Sequence, residues 1–361
     1  MHLRTVVGVV ELSVWYGRDP ATPHWGCPIR QHWGLSAHQQ LSPALQDRFA
    51  FTVTATGSYE QAAAVATNWD CPADDTTLHT LTQRLGARAE AQTRQRLAAA
   101  PAEVTPQRAA SDLTVLELDG WHVRHRGPGW GKQRTQKARV EWHELKTGVA
   151  YRQDQAGQTA GGRGVLSEKV LVSWQGEPLE LGRRLHWEAL RHGLGRSRQM
   201  LVVADGAPWI WNVAADRWPG ATELLDFYHA SEHLWELGRA LPRDEAVVAA
   251  WVAPRRHRLR HGQERAVLRE LAALRPPRGA AGEVVRREQG YFAEHAGRLN
   301  YRALARRGWP IGSGAVESAC RQRQCRFKRP GQFWTARGLR QLGALIEARA
   351  NGHWEELWQP N

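Results

Sequence analysis

The chain has 361 residues, 42% of them hydrophobic, enough for one large core or two to three smaller ones and too apolar for a disordered chain. Lys and Arg number 49 against 36 acidic residues, a net charge of +13; this favours a polyanionic partner, because each neutralised phosphate releases counterions. The four cysteines, Cys27, Cys71, Cys320 and Cys325, form no Cys-x-x-Cys pair, and no apolar run approaches the ~20 residues of a membrane helix, so a cysteine-paired zinc ribbon and a membrane span are excluded.

Residues 1–42 read as an irregular segment with short strands, rich in Trp, His, Gly and Pro. A helical pattern begins at Leu41, with Ser42 as a cap ahead of Ala44, Leu45, Phe49 and Val53. An Ala-rich stretch, the turn Cys71-Pro72-Ala73-Asp74-Asp75 and a long polar helix complete a helix-turn-helix-like outline over 43–97. In that reading Thr76, Thr77, His79 and Gln83 face a DNA groove; the plain alternative is a helical hairpin. Residues 98–112, Ala/Pro-rich and polar, read as a linker.

From residue 113 the period becomes strand-like. LTVLELDG (113–120) alternates and ends in Asp119-Gly120. ARVEWHEL (138–145) alternates again, with Lys146-Thr147-Gly148 expected as a hairpin turn and VAYRQ as its return strand. A helix is expected over Arg184–His192, and MLVVADGA (200–207) reads as a strand buried on both faces. ATELLDFYH opens a further strand that runs into the helix ASEHLWELGRAL. Residues 241–308 are helical and basic, and two more helices precede a tail at 351–361. The expected fold is α/β: an RNase H-like mixed sheet over 113–350 with a helical insertion at about 241–308.

Asp119 and Asp205 each close an apolar strand and precede a Gly, which lets a backbone or ligand approach closely. Asp-Gly is also an ordinary turn. Paired carboxylates repel, so such a site takes protons or a hard cation such as Mg²⁺ or Mn²⁺. Ser313 stands where it can cap a helix presenting Glu317 from its first turn; the other reading of Glu317 is a favourable charge near a helix N-terminus. Asp226, His229 and His233 fall on one helical face, with a zinc site or a buried hydrogen-bonded His as competing readings. Two basic runs flank the acids: Lys132, Arg134 and Lys137 near Asp119, and Arg321, Arg323, Arg326, Lys328 and Arg329 after Glu317. The 18 Trp far outnumber the 6 Tyr or 6 Phe; most fit a core, and at a basic surface such rings stack on splayed bases.

LELDGW (116–121), VVADGAPWIW (202–211), DFYHASEHLWELG (226–238), PIGSGAVESACRQRQCRFKRPGQFW (310–334) and NGHWEELW (351–358) together resemble bacterial insertion-sequence transposases of the ISKra group, DDE enzymes with Mutator-like relatives. The resemblance implies Asp119, Asp205 and Glu317 as catalytic acids holding two Mg²⁺ or Mn²⁺ ions, with Asp226 and His229 as the supporting Asp-x-x-His pair. It implies metal-dependent cleavage and strand transfer of DNA, with transposon ends and target DNA as partners and a homodimer or larger assembly in synapsis. The start, MHLRTVVGVVELSV, is a short apolar run broken by Glu11 without a signal-peptide core, so a cytoplasmic, nucleoid-associated location is expected. Members of the group often carry an N-terminal zinc segment with Cys pairs; only Cys27, in GCPIRQHWGLS, stands in a comparable place, as if the segment were degenerate or began late. Two other functions share these features: a catalytically inactive transposase-derived DNA-binding protein, and an RNase H-like nuclease or resolvase.

Overall fold

The computed structural model describes residues 1–18, 25–33, 35, 40–99, 113–131, 139–194, 197–241 and 244–359. The chain divides into two compact units: Met1–Ala100, Val123–His143 and Gln322–Asn361 in unit 1, and Pro101–His122 and Glu144–Arg321 in unit 2. The stretches 123–143 and 322–350, expected within the catalytic domain, thus group with the N-terminal helices.

Unit 1 opens with two small antiparallel pairs, β1 (His2–Thr5) with β2 (Gly8–Glu11) and β3 (Gly17–Arg18) with β4 (Trp25–Gly26), and a short helix α1 (Pro28–His32). Three longer helices follow: α2 (Pro43–Ala55), α3 (Tyr59–Asn68) and α4 (Asp75–Ala98). Each starts at a side-chain cap that satisfies an otherwise unpaired backbone N–H. Ser42 Oγ accepts from Leu45 N at 3.3 Å, Ser58 Oγ from Gln61 N at 3.1 Å and Asp74 Oδ1 from Thr77 N at 2.5 Å. Leu78, Leu81, Thr82, Leu85, Gly86 and Ala89 form the buried stripe of α4, spaced at the helical period. The helix Ala336–Ala350 packs on α4. Gly86 permits this approach, because a Cβ there would run into the Gln341 backbone.

Unit 2 is an α/β unit on a five-stranded mixed sheet. Its strands are β5 (Leu113–Arg126), β6 (Val140–Arg152), β9 (Val170–Trp174), β10 (Gln199–Ala204) and β11 (Thr222–Leu225), the first two continuing into unit 1. A small antiparallel pair, β7 (Ala156–Gln158) and β8 (Gly164–Leu166), carries the Gly-rich stretch. The spatial order is β11-β10-β5-β6-β9, with β10 parallel to both β5 and β11 and β6 antiparallel to β9. Leu201–Ala204 of β10 are fully buried, as its unbroken apolar run requires of a central parallel strand. Helices α5 (Pro178–Arg191), α6 (Pro208–Arg217) and α7 (Phe227–Ala240) alternate with the last strands. The helical stretch expected at 241–308 comprises α8 (Glu245–Arg260), α9 (Glu264–Ala272), α10 (Ala280–Glu294) and α11 (Tyr301–Arg306). Helix α12 (Gly314–Phe327) follows, and α13 is the helix Ala336–Ala350 of unit 1.

Three expectations are corrected. β5 does not stop at Asp119-Gly120: Trp121, Val123 and His125 sustain the inward alternation, and the strand runs to Arg126. Lys146-Thr147-Gly148 is the interior of β6, paired in register with Trp174, Ser173 and Val172. Thr147 Oγ1 there accepts from Trp121 Nε1 at 3.1 Å, and Gly148 leaves room for Leu185, which a Cβ would meet at 2.6 Å. The third strand is accordingly Val170–Trp174, and the helix expected from Arg184 begins at Pro178, a residue whose fixed φ suits a first helical turn.

A candidate acidic site in unit 2

Leu118 of β5 sits opposite Ala204 of β10 in the parallel register, so the next residue of each strand, Asp119 and Asp205, come side by side. Asp205 closes its strand as expected; Asp119 instead lies inside its own, where the apolar half ends. Burial, and then the charge of Asp205, push the Asp119 carboxyl above the usual range, partly offset by a hydrogen bond from Cys320. Asp205 Oδ1 accepts from Ala207 N at 3.0 Å, and its carbonyl accepts from Tyr291 Oη of α10 at 2.7 Å. Gly206 has φ +102°, a left-handed backbone, and a Cβ there would meet Tyr291 and His295 at about 3 Å.

Glu317 lies in the first turn of α12. Its backbone N donates to Ser313 O at 3.1 Å, and its Oε1 lies 3.3 Å from Ser313 Oγ. Ser313 is in turn held by Asp226, a fully buried carboxylate at the N-cap of α7. Asp226 Oδ1 accepts from Tyr228 N at 2.5 Å and His229 N at 3.0 Å; Oδ2 accepts from Ser313 Oγ at 2.7 Å and from Ser313 N. Burial alone would raise this carboxyl, but donors from His229 and Ser313 outweigh it and hold it below the usual range. The imidazole of His229, 3.7 Å from Asp226 Oδ1 at Nδ1, is pushed up to about 9 by Asp226 first, with Asp205 and Glu232 adding to the field. It is therefore a cation at neutral pH, set among carboxylates.

The ligand atoms of Asp226, His229 and Glu317 lie within 4.8 Å of one another. Asp226 is nevertheless a poor metal ligand, because both its oxygens already accept two hydrogen bonds from rigid donors. The zinc alternative on His229 and His233 is not met: His233 Nδ1 bonds Glu288 of α10 at 2.5 Å and its ring stacks on Tyr291 at 3.7 Å. Asp119, Asp205 and Glu317 are each half-buried, and the ligand group among the described residues at this place joins Glu317 to Asp226 and His229.

Several residues of the site carry no role in the sequence reading, among them Tyr291, Cys320 and the most deeply placed, Glu117. Glu117, two positions before Asp119 on the same face of β5, is fully buried. Its Oε2 accepts from Val316 N of α12 at 2.8 Å and its Oε1 from Tyr151 Oη of β6 at 2.8 Å. Burial raises its carboxyl to about 7 against these hydrogen bonds. Glu117 thereby pins the first turn of α12, which presents Glu317, to the strand that carries Asp119. The legible signal was a charged residue at an inward position of an apolar strand. Glu117→Ala leaves two buried donors unpaired and is expected to cost about 2–4 kcal/mol. Glu117→Gln, which can still accept, is expected to restore at least half of the lost melting temperature; an alanine variant that melts with the wild type would remove Glu117 from this role.

The expected DNA contacts are scattered. Lys132, Arg134 and Lys137 lie outside the described residues. In α4, Thr76 is exposed and the backbone N of Thr77 serves the cap, but the Gln83 amide nitrogen is buried near Gly338 and does not face outward. Arg321 is exposed and Lys328 and Arg329 are half-exposed, whereas Arg323 and Arg326 are only 3% and 5% exposed, which takes them out of the expected surface run. Arg323 pairs with Glu347 of α13. Arg326 is seated between the rings of Tyr59 and Trp334, at 5.2 and 5.5 Å, and burial pushes it down to about 10.

Unit 2 is thus an α/β unit with acidic residues beside the carboxyl end of β10 and the middle of its parallel neighbour β5. No family model matches the chain, and no curated protein matches it. Among solved structures it is similar to the Drosophila P element transposase strand transfer complex, with 11% identity and a TM-score of 0.27 over 86% of this chain and 79% of that one. A likeness of that size supports no conclusion about fold or function. No helix among the described residues is long and apolar enough to cross a membrane.

Proposed function

We propose that the chain is a DDE transposase of the insertion-sequence type, acting on DNA by metal-dependent cleavage and strand transfer. The observation that carries this reading is the placement of Asp119 and Asp205 side by side on parallel neighbours, with Glu317 joined to their surroundings through Ser313, Asp226 and His229. The strand order, with β5 central and the meander partners β6 and β9 on one side and β10 and β11 on the other, agrees with an RNase H-like sheet. The net charge of +13 suits a DNA substrate.

The donor set fits hard divalent cations. Asp119, half-buried beside Asp205 and raised by burial and by that charge, is a carboxylate that a cation would stabilise, and all three acids offer hard oxygen donors. Asp119, Asp205 and Glu317 would hold Mg²⁺ or Mn²⁺; when bound, such ions activate a water or a 3′-hydroxyl and neutralise charge at the phosphate. The protein's own part is placement. Tyr291 fixes the Asp205 backbone, Ser313 and Asp226 fix Glu317, and cationic His229 offsets the cluster's negative charge.

The test mixes purified protein with labelled transposon-end DNA and a target plasmid in Mg²⁺ or Mn²⁺. Joined product that disappears in EDTA is expected. Cleavage without joining would indicate the nuclease or resolvase instead, and binding with no metal-dependent cleavage would indicate an inactive DNA-binding descendant.

A further inference from the structure

Unit 1 carries a face on which aromatic rings and cations alternate. Arg124 and Arg126 project from the same side of β5, by the two-residue period of a strand. The Arg124 guanidinium lies 5.0 Å from the Phe333 ring centroid and 6.0 Å from that of Trp142, and Lys328 Nζ lies 6.0 Å from Trp142 as well. Trp130 packs on Phe333 at 4.6 Å, with Arg126 at 6.0 Å from its ring. Glu141, paired with His143 at 3.1 Å, is the nearest acid on this part of β6.

The face is rigid. Trp334 N donates to Arg124 O at 3.0 Å, Arg126 N to Trp334 O at 2.8 Å, and Arg126 Nε to Phe333 O at 3.1 Å. Arg124 Nη2 also donates to Arg329 O at 2.7 Å. Trp142 is nevertheless 57% exposed, a large ring left in water and flanked by two cations. A ring in this setting lacks apolar cover, and Arg124, Arg126 and Lys328 have no ion pair among the described residues; one ligand supplies both needs, a strand with unpaired bases and a phosphate backbone. A duplex offers the phosphates but keeps its base faces stacked away.

We infer that the face formed by Trp142, Phe333 and Trp130 with Arg124, Arg126 and Lys328 binds a single-stranded or splayed segment of DNA, with a base stacked on Trp142 and phosphates on the cations. The inference rests on the DNA-processing reading above and adds to it a strand preference and a location. Trp142 is exposed, so its replacement leaves the fold intact.

The test is fluorescence anisotropy in EDTA, with a labelled thymidine oligonucleotide and a duplex of equal length, for the full chain and for Trp142→Ala, Trp142→Phe and Phe333→Ala. Trp142→Ala is expected to weaken single-strand binding by about 5-fold or more, with duplex binding changed by less than about 2-fold, and Trp142→Phe to retain most of the wild-type affinity. Unchanged single-strand binding in Trp142→Ala, or an equal loss on the duplex, would overturn the stacking role. The two readings fail separately: an active strand-transferring enzyme indifferent to Trp142 loses only this platform, whereas a protein that cleaves nothing yet binds single strands through Trp142 keeps the platform and loses the enzyme. A chain that binds neither DNA loses both.

Discussion

Asp205→Asn, and separately Asp119→Asn, is expected to lower metal-dependent cleavage by about 10³-fold or more while leaving the fold in place. The magnitude follows from the several kcal/mol of charge stabilisation that a correctly held divalent ion supplies, at a factor of ten for each ~1.4 kcal/mol. An amide keeps the shape and the ability of Asp205 to accept from Ala207 N, but it lacks the charge that would draw a cation to the strand ends. Stability gives an independent readout. In EDTA, Asp119→Asn is expected to melt no lower than the wild type, because it removes a charge that burial and Asp205 both oppose. Addition of Mn²⁺ is expected to raise the wild-type melting temperature by mass action and to leave both variants unmoved. Cleavage by either variant at near wild-type rate, or a metal-induced shift equal to the wild type's, would refute the assignment of these two acids.

The second large effect is structural. Asp226→Ala removes a fully buried carboxylate that accepts from Tyr228 N, His229 N, Ser313 N and Ser313 Oγ, and takes away the main cause of the raised His229 pKa. Deleting one member of such a buried charged network costs about 3–5 kcal/mol, which for a unit of this size lowers the melting temperature by about 6 °C or more. Asp226→Asn is no rescue, because its amide nitrogen would face a donor either at Ser313 or at the start of α7. Thermal denaturation in EDTA checks this without reference to catalysis. A variant that melts within a degree or two of the wild type would mean that the 311–313 segment is held by its other contact, Phe227 N to Ile311 O at 2.9 Å, and not by Asp226.

What the sequence revealed and what it concealed divide along physical lines. Local signals read well: Ser42 as a cap, the unbroken apolar run of β10, Glu317 in a first helical turn and the helical character of 241–308 are each set by neighbours within a few residues. Asp119-Gly120 and Lys146-Thr147-Gly148 carry turn chemistry, yet both lie inside long strands, because inward partners such as Trp121, Thr147 and Leu185 override local preference. Val170–Trp174 is short and follows a Gly-rich stretch, so its local pattern is weak. The hydrogen bond from Val316 N to Glu117, 199 residues away, and that from Tyr291 to the Asp205 carbonyl join distant parts of the chain, and neither leaves a periodic trace. The burial of Arg323 and Arg326 was hidden for the same reason: a run of Arg reads as a solvated face until the helix and rings that cover it are known.

Gly86 of α4 lies against the backbone of Gln341 in α13, and this pairing has a consequence for synthesis. On the ribosome α4 emerges complete, with the face around Gly86 waiting for a partner that is still about 240 residues from being made, roughly 12–50 s at ordinary elongation rates. Helices α2 and α3 cover part of the stripe meanwhile; the α13 side stays open. Unit 1 is thus the first part of the protein to begin folding and the last to finish. A nascent chain stalled anywhere before residue 336 would present the same uncovered face of α4, a natural handle for a chaperone and a ready seed for aggregation.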